Sequence, residues 1–394
     1  MKRKVIALLL ATSLTAVLIG GGGCGGDDSV TLTVWESTQG PDEFIRQAGA
    51  AYTEKNPNVT INYVNVELGD SVSQIALDGP AGVGPDLFAA PHDRLGSLVV
   101  DGHVVPVADA GLAGRVLASC ATAVTFNGVM YGYPVSAETY ALYYNRALIN
   151  EADVPTTWDG LKAWSMDFNA ANPGSYGFIM DIGAYYVIIF TTSDNNRLFG
   201  PSGTDTTATN INSAASVKGM QFFASLRDAL PVPAADLNTA TADANFIGGN
   251  AAMTISGPWN VGNFTSAGLD FGITTLPSLP GESNPPASFS GTRSMFVSAY
   301  SENIDEAHKF AAFLVSEEMQ TLRYNITGAL PAVDVPLSSP HDGAFVKQLE
   351  YAFPMPSIPE MGRYWDAMNN AASNIWDGAN IEAELDAANA AILN

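Results

Sequence analysis

Apolar and polar residues alternate along Val30–Glu36 (VTLTVWE), the period-two pattern of a strand with one buried face. A helix should follow. Pro41 suits a first turn, Asp42 and Glu43 suit its positive end, and Phe44, Ala48, Ala51 and Tyr52 recur at helical spacing. Alternation returns over 58–66, and 87–90 is a short apolar run behind Gly84-Pro85-Asp86, as in a buried parallel strand. Strands separated by helices of this length predict βαβ units and an α/β sheet. Residues 122–134 read as a hairpin turning at Asn127-Gly128. The α/β alternation then restarts, with a strand over 139–145, a helix over 158–171 and a strand over 176–180, which marks a second domain. Further helices are predicted over 213–230, 302–316, 344–353 and 360–375, and a strand over 293–298.

Length and composition allow two ordinary domains or one large one: 394 residues, 47% of them hydrophobic, can bury sizeable cores. Charge narrows the partners. Asp and Glu outnumber Lys and Arg by 40 to 17, for a formal net charge of -23, so phosphate backbones and anionic lipid headgroups repel this chain. A neutral or cationic ligand fits better. At the N-terminus, Lys2, Arg3 and Lys4 precede an apolar run over 5–19 and then small residues, the layout of an export signal. The run is interrupted by Thr12, Ser13 and Thr15 and is shorter than the roughly 20 residues a membrane-spanning helix needs. Cys24 falls at the expected cut, which leaves two readings: a lipidated first residue of the mature chain, or a cysteine near the end of an ordinary secretory signal. A lipidation motif carries Leu three residues before the Cys and small residues between; here Gly21 takes the Leu position, Gly22 and Gly23 follow, and Leu18 lies further back. With lipid on Cys24, the Gly-rich stretch 20–26 would serve as a flexible tether, and Cys120 would be a small buried apolar residue. Histidines 92, 103, 308 and 341 are scattered, so no metal site is expected. No phosphate-binding loop, nucleophile elbow or zinc-protease motif is present, and neither catalytic residues nor a cofactor are expected.

Five segments, in order, carry a resemblance: Val34-Trp35-Glu36; GPDLFAAPHDRLG over 84–96; YPVSAETYALYYN over 133–145; GNAAMTISGPW over 249–259; and MPSIPEMGRYW over 355–365. Together they resemble the maltose- and maltodextrin-binding members of the family-1 extracellular solute-binding proteins, over most of the chain after residue 30. The resemblance implies a two-lobed α/β fold of the type II periplasmic-binding-protein class, with the ligand in the interlobe cleft. It assigns 1–24 to the signal peptide, 25–29 to the tether, 30–136 and 294–330 to the N-terminal lobe, and 141–289 and 336–394 to the C-terminal lobe. Crossovers at 137–140, 290–293 and 330–335 would form the hinge. It further implies an exported, periplasmic or cell-surface protein, tethered to the membrane if lipidated, monomeric, and partnered by the permease and ATPase subunits of an ABC sugar importer.

Sugars present apolar C–H faces and hydroxyl rims, so a sugar site needs aromatic rings together with carboxylates, amides or guanidinium groups. The resemblance assigns stacking to Trp259 and Trp365. Read without it, Trp259 is a core anchor, and Trp365, Met368, Ala372 and Trp376 form the core stripe of a helix. Asn369, one turn beyond Trp365, stands where the best-known members carry arginine. Asp93 and Arg94 match a polar pair that holds sugar hydroxyls; read alone they are a solvated ion pair, and His92 beside them is given a structural role. Ala90 stands where some maltose binders have tryptophan, which implies a missing wall and room for longer or cyclic glucans. Glu138, in the first crossover, is either a hydroxyl acceptor or a brace of the hinge. Tyr185 and Tyr186 match an aromatic pair whose preceding carboxylate is replaced around Gly183-Ala184. Gln39 and Gly40 stand where relatives carry an acid and a lysine, leaving Gln39 as a ligand contact and Asp70 as a weaker one. The rivals are another oligosaccharide or polyol, a sensor subunit, and a glycoside hydrolase, which would need two carboxyl groups roughly 5–9.5 Å apart. Metabolic labelling with a radioactive fatty acid tests the anchor: the wild-type chain is expected to take up label, and Cys24→Ala to take up none.

Overall fold

The structure, a computed structural model, describes residues 29–38 and 40–394. The export signal, Cys24, most of the tether and Gln39 lie outside the described residues.

Among the described residues, twelve strands build the scaffold: β1 (Val30–Glu36), β2 (Val59–Asn65), β3 (Leu87–Pro91), β4 (Thr125–Phe126), β5 (Val129–Met130), β6 (Gly132–Glu138), β7 (Ala141–Asn145), β8 (Tyr176–Ile179), β9 (Ala251–Ser256), β10 (Phe271–Thr274), β11 (Phe289–Val297) and β12 (Phe353–Pro354). The first sheet runs β2-β1-β3-β11-β6. β1 pairs in parallel with β2 and with β3, while β11 runs antiparallel to β3 and β6. Alternation along β1 decides its two faces. Leu32 and Val34 meet Phe44, Ile45 and Ala48 of the helix Pro41–Lys55, and Trp35 turns the other way, to Phe88, Leu95, Leu98 and Phe296. The second sheet runs β10-β7-β9-β8. One face carries the helices Trp158–Ala171, Ala214–Ser225, Met361–Trp376 and Ile381–Leu393, around Trp158, Phe190, Phe223 and Trp376. The other is filled by Tyr143, Phe246, Phe264 and Phe271.

The chain passes between the sheets where β6 runs into β7 through Thr139 and Tyr140, and again along β11. Phe289 and Ser290 of that strand pair with β12, whereas Arg293–Val297 pair with β3. Leu330 bridges to Ala137 beside them. These passages are bonded to one another, since Thr139 Oγ1 donates to the Phe289 carbonyl at 2.9 Å.

Several elements differ from the sequence expectations. The turn at Asn127-Gly128 has positive φ at both residues (50° and 79°), as a two-residue hairpin requires. Its ladder is only β4 against β5, because the chain then diverts to pair β6 with β11, and a helix over Ala118–Ala123 occupies the stretch just before it. The helix expected over 344–353 is Asp342–Leu349, followed by β12, whose Pro354 cannot continue a helix. The helix expected over 213–230 spans Ala214–Ser225, opened by Ser213, whose side chain accepts from the Ser216 amide. Unforeseen elements include the helices Thr239–Ile247 and Glu317–Thr327 and the strands β9 and β10. Cys120 is a buried free thiol, in agreement with its apolar reading.

Gly219 lets the helix Ala214–Ser225 lie directly on the turn Ile188–Thr191, for a Cβ there would fall on the Phe190 carbonyl, while a Cβ at Gly114 would meet nothing. Gly219→Ala is therefore expected to cost about 1–3 kcal/mol of stability in urea unfolding, and Gly114→Ala to have little effect.

Candidate functional site

In an open α/β sheet, ligands bind outside the carboxyl ends of the parallel strands, where loops are free to carry function. In both sheets the residues lining one cleft follow the carboxyl ends of parallel strands, and the crossovers turn those ends toward each other. Glu36 closes β1, and His92-Asp93-Arg94 form a short 3-10 turn after β3. Tyr185 follows β8, and Trp259 follows β9. Between them lies a cleft of about 390 Å³ lined by Asp93, Arg94, Glu138, Tyr185, Trp259 and Trp365, together with Leu68, Gly69, Pro91, Arg293 and Met355. A larger depression of about 630 Å³ beside Thr156 and Thr274 carries Tyr144, Tyr351, Glu151 and Lys347 but no tryptophan and no arginine.

The second lobe supplies the rings. Trp259 folds back over Gly257, where any Cβ would collide with the indole; glycine is needed there for the ring to reach the cleft. Tyr185 sits in the single turn Ala184–Val187, whose carbonyls accept from Tyr140 (to Tyr185, 2.9 Å) and Tyr364 (to Ala184, 3.1 Å). Ring centroids lie 6.3 Å apart for Tyr185 and Trp259 and 6.5 Å apart for Tyr185 and Trp365, with Phe289 behind Trp365 at 5.9 Å. The three cleft rings thus form one wall. Burial, with the Glu138 and Asp93 carboxylates nearby, raises the Tyr185 phenol well above its ordinary value, so it faces the cleft neutral.

The first lobe and crossovers supply the charge. Asp93 is almost fully buried, and its Oδ2 accepts from the Trp365 indole N–H at 3.0 Å, a direct bond between lobes. Arg94 Nε lies 3.5 Å from the same oxygen. Glu138 ends β6, and its Oε1 accepts from the Ser136 hydroxyl at 3.0 Å. His92 Nδ1 accepts from the Thr292 amide at 3.0 Å, so its Nε2 donates to the Met355 carbonyl at 2.9 Å. This neutral tautomer ties the turn carrying Asp93 to the crossing strand and to the segment after β12, and burial lowers the imidazole pKa from its ordinary 6.5.

Three sequence expectations are corrected. Tyr186 does not face the cleft: neighbouring residues on a helical turn point about 100° apart, and its ring is buried against Tyr140, centroids 5.1 Å apart. Asn369 is also absent from the lining. Its Oδ1 accepts from the Ala184 amide at 2.7 Å, so it caps the turn that presents Tyr185. At Ala90 no wall is missing. β3 alternation buries that residue completely among Trp35, Phe88, Leu95 and Phe296, and Pro91 is what reaches the cleft. Trp365 also departs from the helical stripe read in the sequence: Met368, Ala372 and Trp376 are core, while Trp365 is only partly buried and turns to the cleft. Sequence reasoning missed Arg293, Met355 and the Leu68-Gly69 turn. Only Arg293 left a signal, as a single cation inside an otherwise uncharged strand.

The chain is similar to known proteins over most of its length. Residues 47–348 match the family model described as bacterial extracellular solute-binding protein. A galactooligosaccharide-binding protein of Bacillus subtilis is 31% identical over 88% of this chain and 85% of its own length. A maltooligosaccharide ABC transporter solute-binding lipoprotein of Streptococcus pneumoniae is 28% identical over 88% and 84%. Among solved structures, a cyclo/maltodextrin-binding protein complexed with maltotetraose superposes with a TM-score of 0.79 at 30% identity, over 93% of this chain and 97% of that one. The Thermus thermophilus maltotriose-binding protein bound with maltotriose gives 0.83 at 27%, over 92% and 99%. The chain belongs to the bacterial extracellular solute-binding proteins and has their two-lobed α/β fold.

The histidines generate a prediction. Burial lowers the pKa of His92, His308 and His341 below 6.5, so below that pH the unfolded chain binds protons that the folded chain refuses. Stability is therefore full above about pH 6.5 and falls as pH drops through the range beneath it. Urea midpoints at pH 7.5, 6.5 and 5.5 are expected to fall in that order, with a shallower decline in His92→Gln.

Proposed function

We propose that this solute-binding protein captures a maltodextrin between its lobes and delivers it to an ABC importer. The observation that carries the reading is the division of the cleft: an aromatic wall on the second lobe faces carboxylates and guanidinium groups of the first lobe and crossovers. That is the complement of a glycan, whose C–H faces stack on rings while its hydroxyls bond to charge. Trp259, Trp365 and Tyr185 would hold the sugar faces, and Asp93, Arg94 and Glu138 the rims. A cleft of about 390 Å³ is of small-ligand size. Two relatives named for maltooligosaccharide and maltotriose binding, and structures holding maltotriose and maltotetraose, favour α-glucans.

A ligand that touches both walls binds the closed arrangement better than the open one, and that difference drives closure. The lobes are taken as 30–136 with 294–330, and 141–289 with 336–394, hinged at 137–140, 290–293 and 330–335. A permease that reads only the closed surface would pass over the empty receptor. The export signal and Cys24 support a location outside the cytoplasm on a lipid tether, a reading that the lipoprotein naming of the streptococcal relative favours. Acting as a receptor, it needs no catalytic group, and Asp93 and Glu138 serve as acceptors rather than as an acid and nucleophile.

Isothermal titration with maltose, maltotriose and maltoheptaose, alongside a galacto-oligosaccharide, tests the assignment. Saturable binding is expected for the α-glucans, weakened about tenfold or more in Trp259→Ala and Trp365→Ala, a loss on the 1.4 kcal/mol scale, and unchanged in Tyr186→Phe. Selective binding of the galacto-oligosaccharide would reassign the sugar and keep the receptor.

A further inference from the structure

Arg293 lies on the crossing strand β11, paired on one side with Pro91 of β3 and on the other with Ser136 of β6. It is nearly buried, yet it lines the cleft. Its guanidinium is committed along one edge. Nε donates to Glu36 Oε2 at 3.2 Å, and Nη2 donates to Glu36 Oε1 and to Ser37 Oγ, the latter at 2.6 Å. A guanidinium is planar, with its five N–H donors fixed in a fork, so binding a carboxylate through Nε and Nη2 turns Nη1 and its two hydrogens to the opposite side. Nη1 has no hydrogen-bond partner among the described residues, whose bonds to Arg293 go to Nε and Nη2.

Glu36 cannot serve the ligand itself. It has no exposed surface, and Oε1 also accepts from the Ser37 amide at 2.8 Å, while Arg323 Nη1 approaches Oε2 at 3.9 Å. Its carboxylate is consumed in holding Arg293. The charge on Arg293 is in turn secure: burial pushes its pKa down, but its bond to Glu36 and the attraction of Glu36, Glu138 and Glu67 together raise it above the ordinary value. Glu138, an acceptor, and Arg293, a donor, therefore line one cleft from paired crossover strands, which suits neighbouring hydroxyls of one sugar.

We propose that Arg293 is a ligand-binding and specificity-determining residue: its Nη1 donates to a sugar hydroxyl at the floor of the cleft, with Glu36 and Ser37 as the positioning residues that aim it. This rests on the reading of the cleft as a sugar site. Because β11 runs between the lobes, the contact would also report ligand directly to the strand that bends on closure.

The test is titration of the wild type, Arg293→Lys and Ser37→Ala with maltotriose and with its monodeoxy analogues, after thermal melting shows each variant folded. Arg293→Lys keeps a cation against Glu36 but loses the fork; it is expected to bind maltotriose about 10- to 100-fold more weakly, on the scale of a hydrogen bond to a charged group. Ser37→Ala, which leaves the ion pair in place, is expected to weaken binding about two- to fivefold, and it carries the test should Arg293→Lys fail to fold. For one deoxy analogue the wild type should lose affinity while the variants lose less, because the partner of that hydroxyl is already gone or misaimed. A structural role alone would leave the losses independent at every hydroxyl, and that result, or unchanged affinity in both variants, overturns the assignment. Wild-type silence toward maltotriose overturns the maltodextrin reading instead. The same variants are then scored on the galacto-oligosaccharide and its deoxy analogues by the same criterion, and silence toward both sugars ends both proposals.

Discussion

Glu36 closes β1 with no exposed surface, and two guanidinium groups from distant parts of the chain converge on it: Arg293 from the crossing strand and Arg323 from the helix Glu317–Thr327. A buried carboxylate is costly unless it is paired and its lone pairs are filled, so this charge compels three segments to meet at one point. Arg323 is held there by stacking as well, its guanidinium 5.3 Å above the ring of Phe44. The junction fixes where the strands cross, and thereby where the carboxyl ends of the two sheets face each other.

The two walls of the cleft follow from that meeting but are built differently. On the second lobe, Tyr185 and Trp259 are locked by neighbours that do not face ligand: Tyr140, Tyr364 and Asn369 grip the turn of Tyr185, and Gly257 yields its side-chain space to Trp259. On the first lobe, Asp93 and Arg94 ride on a turn tied down by His92, which reaches both the crossing strand and Met355. Rigid rings present a fixed stacking surface at little entropic cost, whereas charges near the hinge change their distance from those rings as the lobes move. The lobes touch where Gly96 meets the backbone of 357–359, a contact that tolerates no side chain. The Trp365 to Asp93 bond is another direct link across the cleft, besides the His92 to Met355 bond.

What was legible in the sequence follows from periodicity and local chemistry. Alternation along VTLTVWE, the helical spacing after Pro41, and the helix Trp158–Ala171 are local properties, and each element formed where its pattern placed it. Trp259 and Trp365 could be singled out because a glycine before one and the surrounding segment of the other match a known family. Two of the failures share one cause. Tyr186 and Ala90 sit beside site residues in sequence, but a helical turn and a pleated strand each point adjacent side chains in different directions. Asn369 lies on the same face as Trp365, one turn on, and is instead taken up in capping the Tyr185 turn.

The sequence by itself determined the α/β class, the family and the strongly acidic character. These are summed or local quantities, readable one segment at a time. Tertiary structure alone decided that Glu36, Arg293 and Arg323, drawn from positions nearly three hundred residues apart, share one buried charge cluster. It also decided which members of each aromatic or polar run line the cleft. The physical reason is that orientation and charge pairing are properties of packed neighbours, and those neighbours are chosen by the crossing of strands rather than by order along the chain.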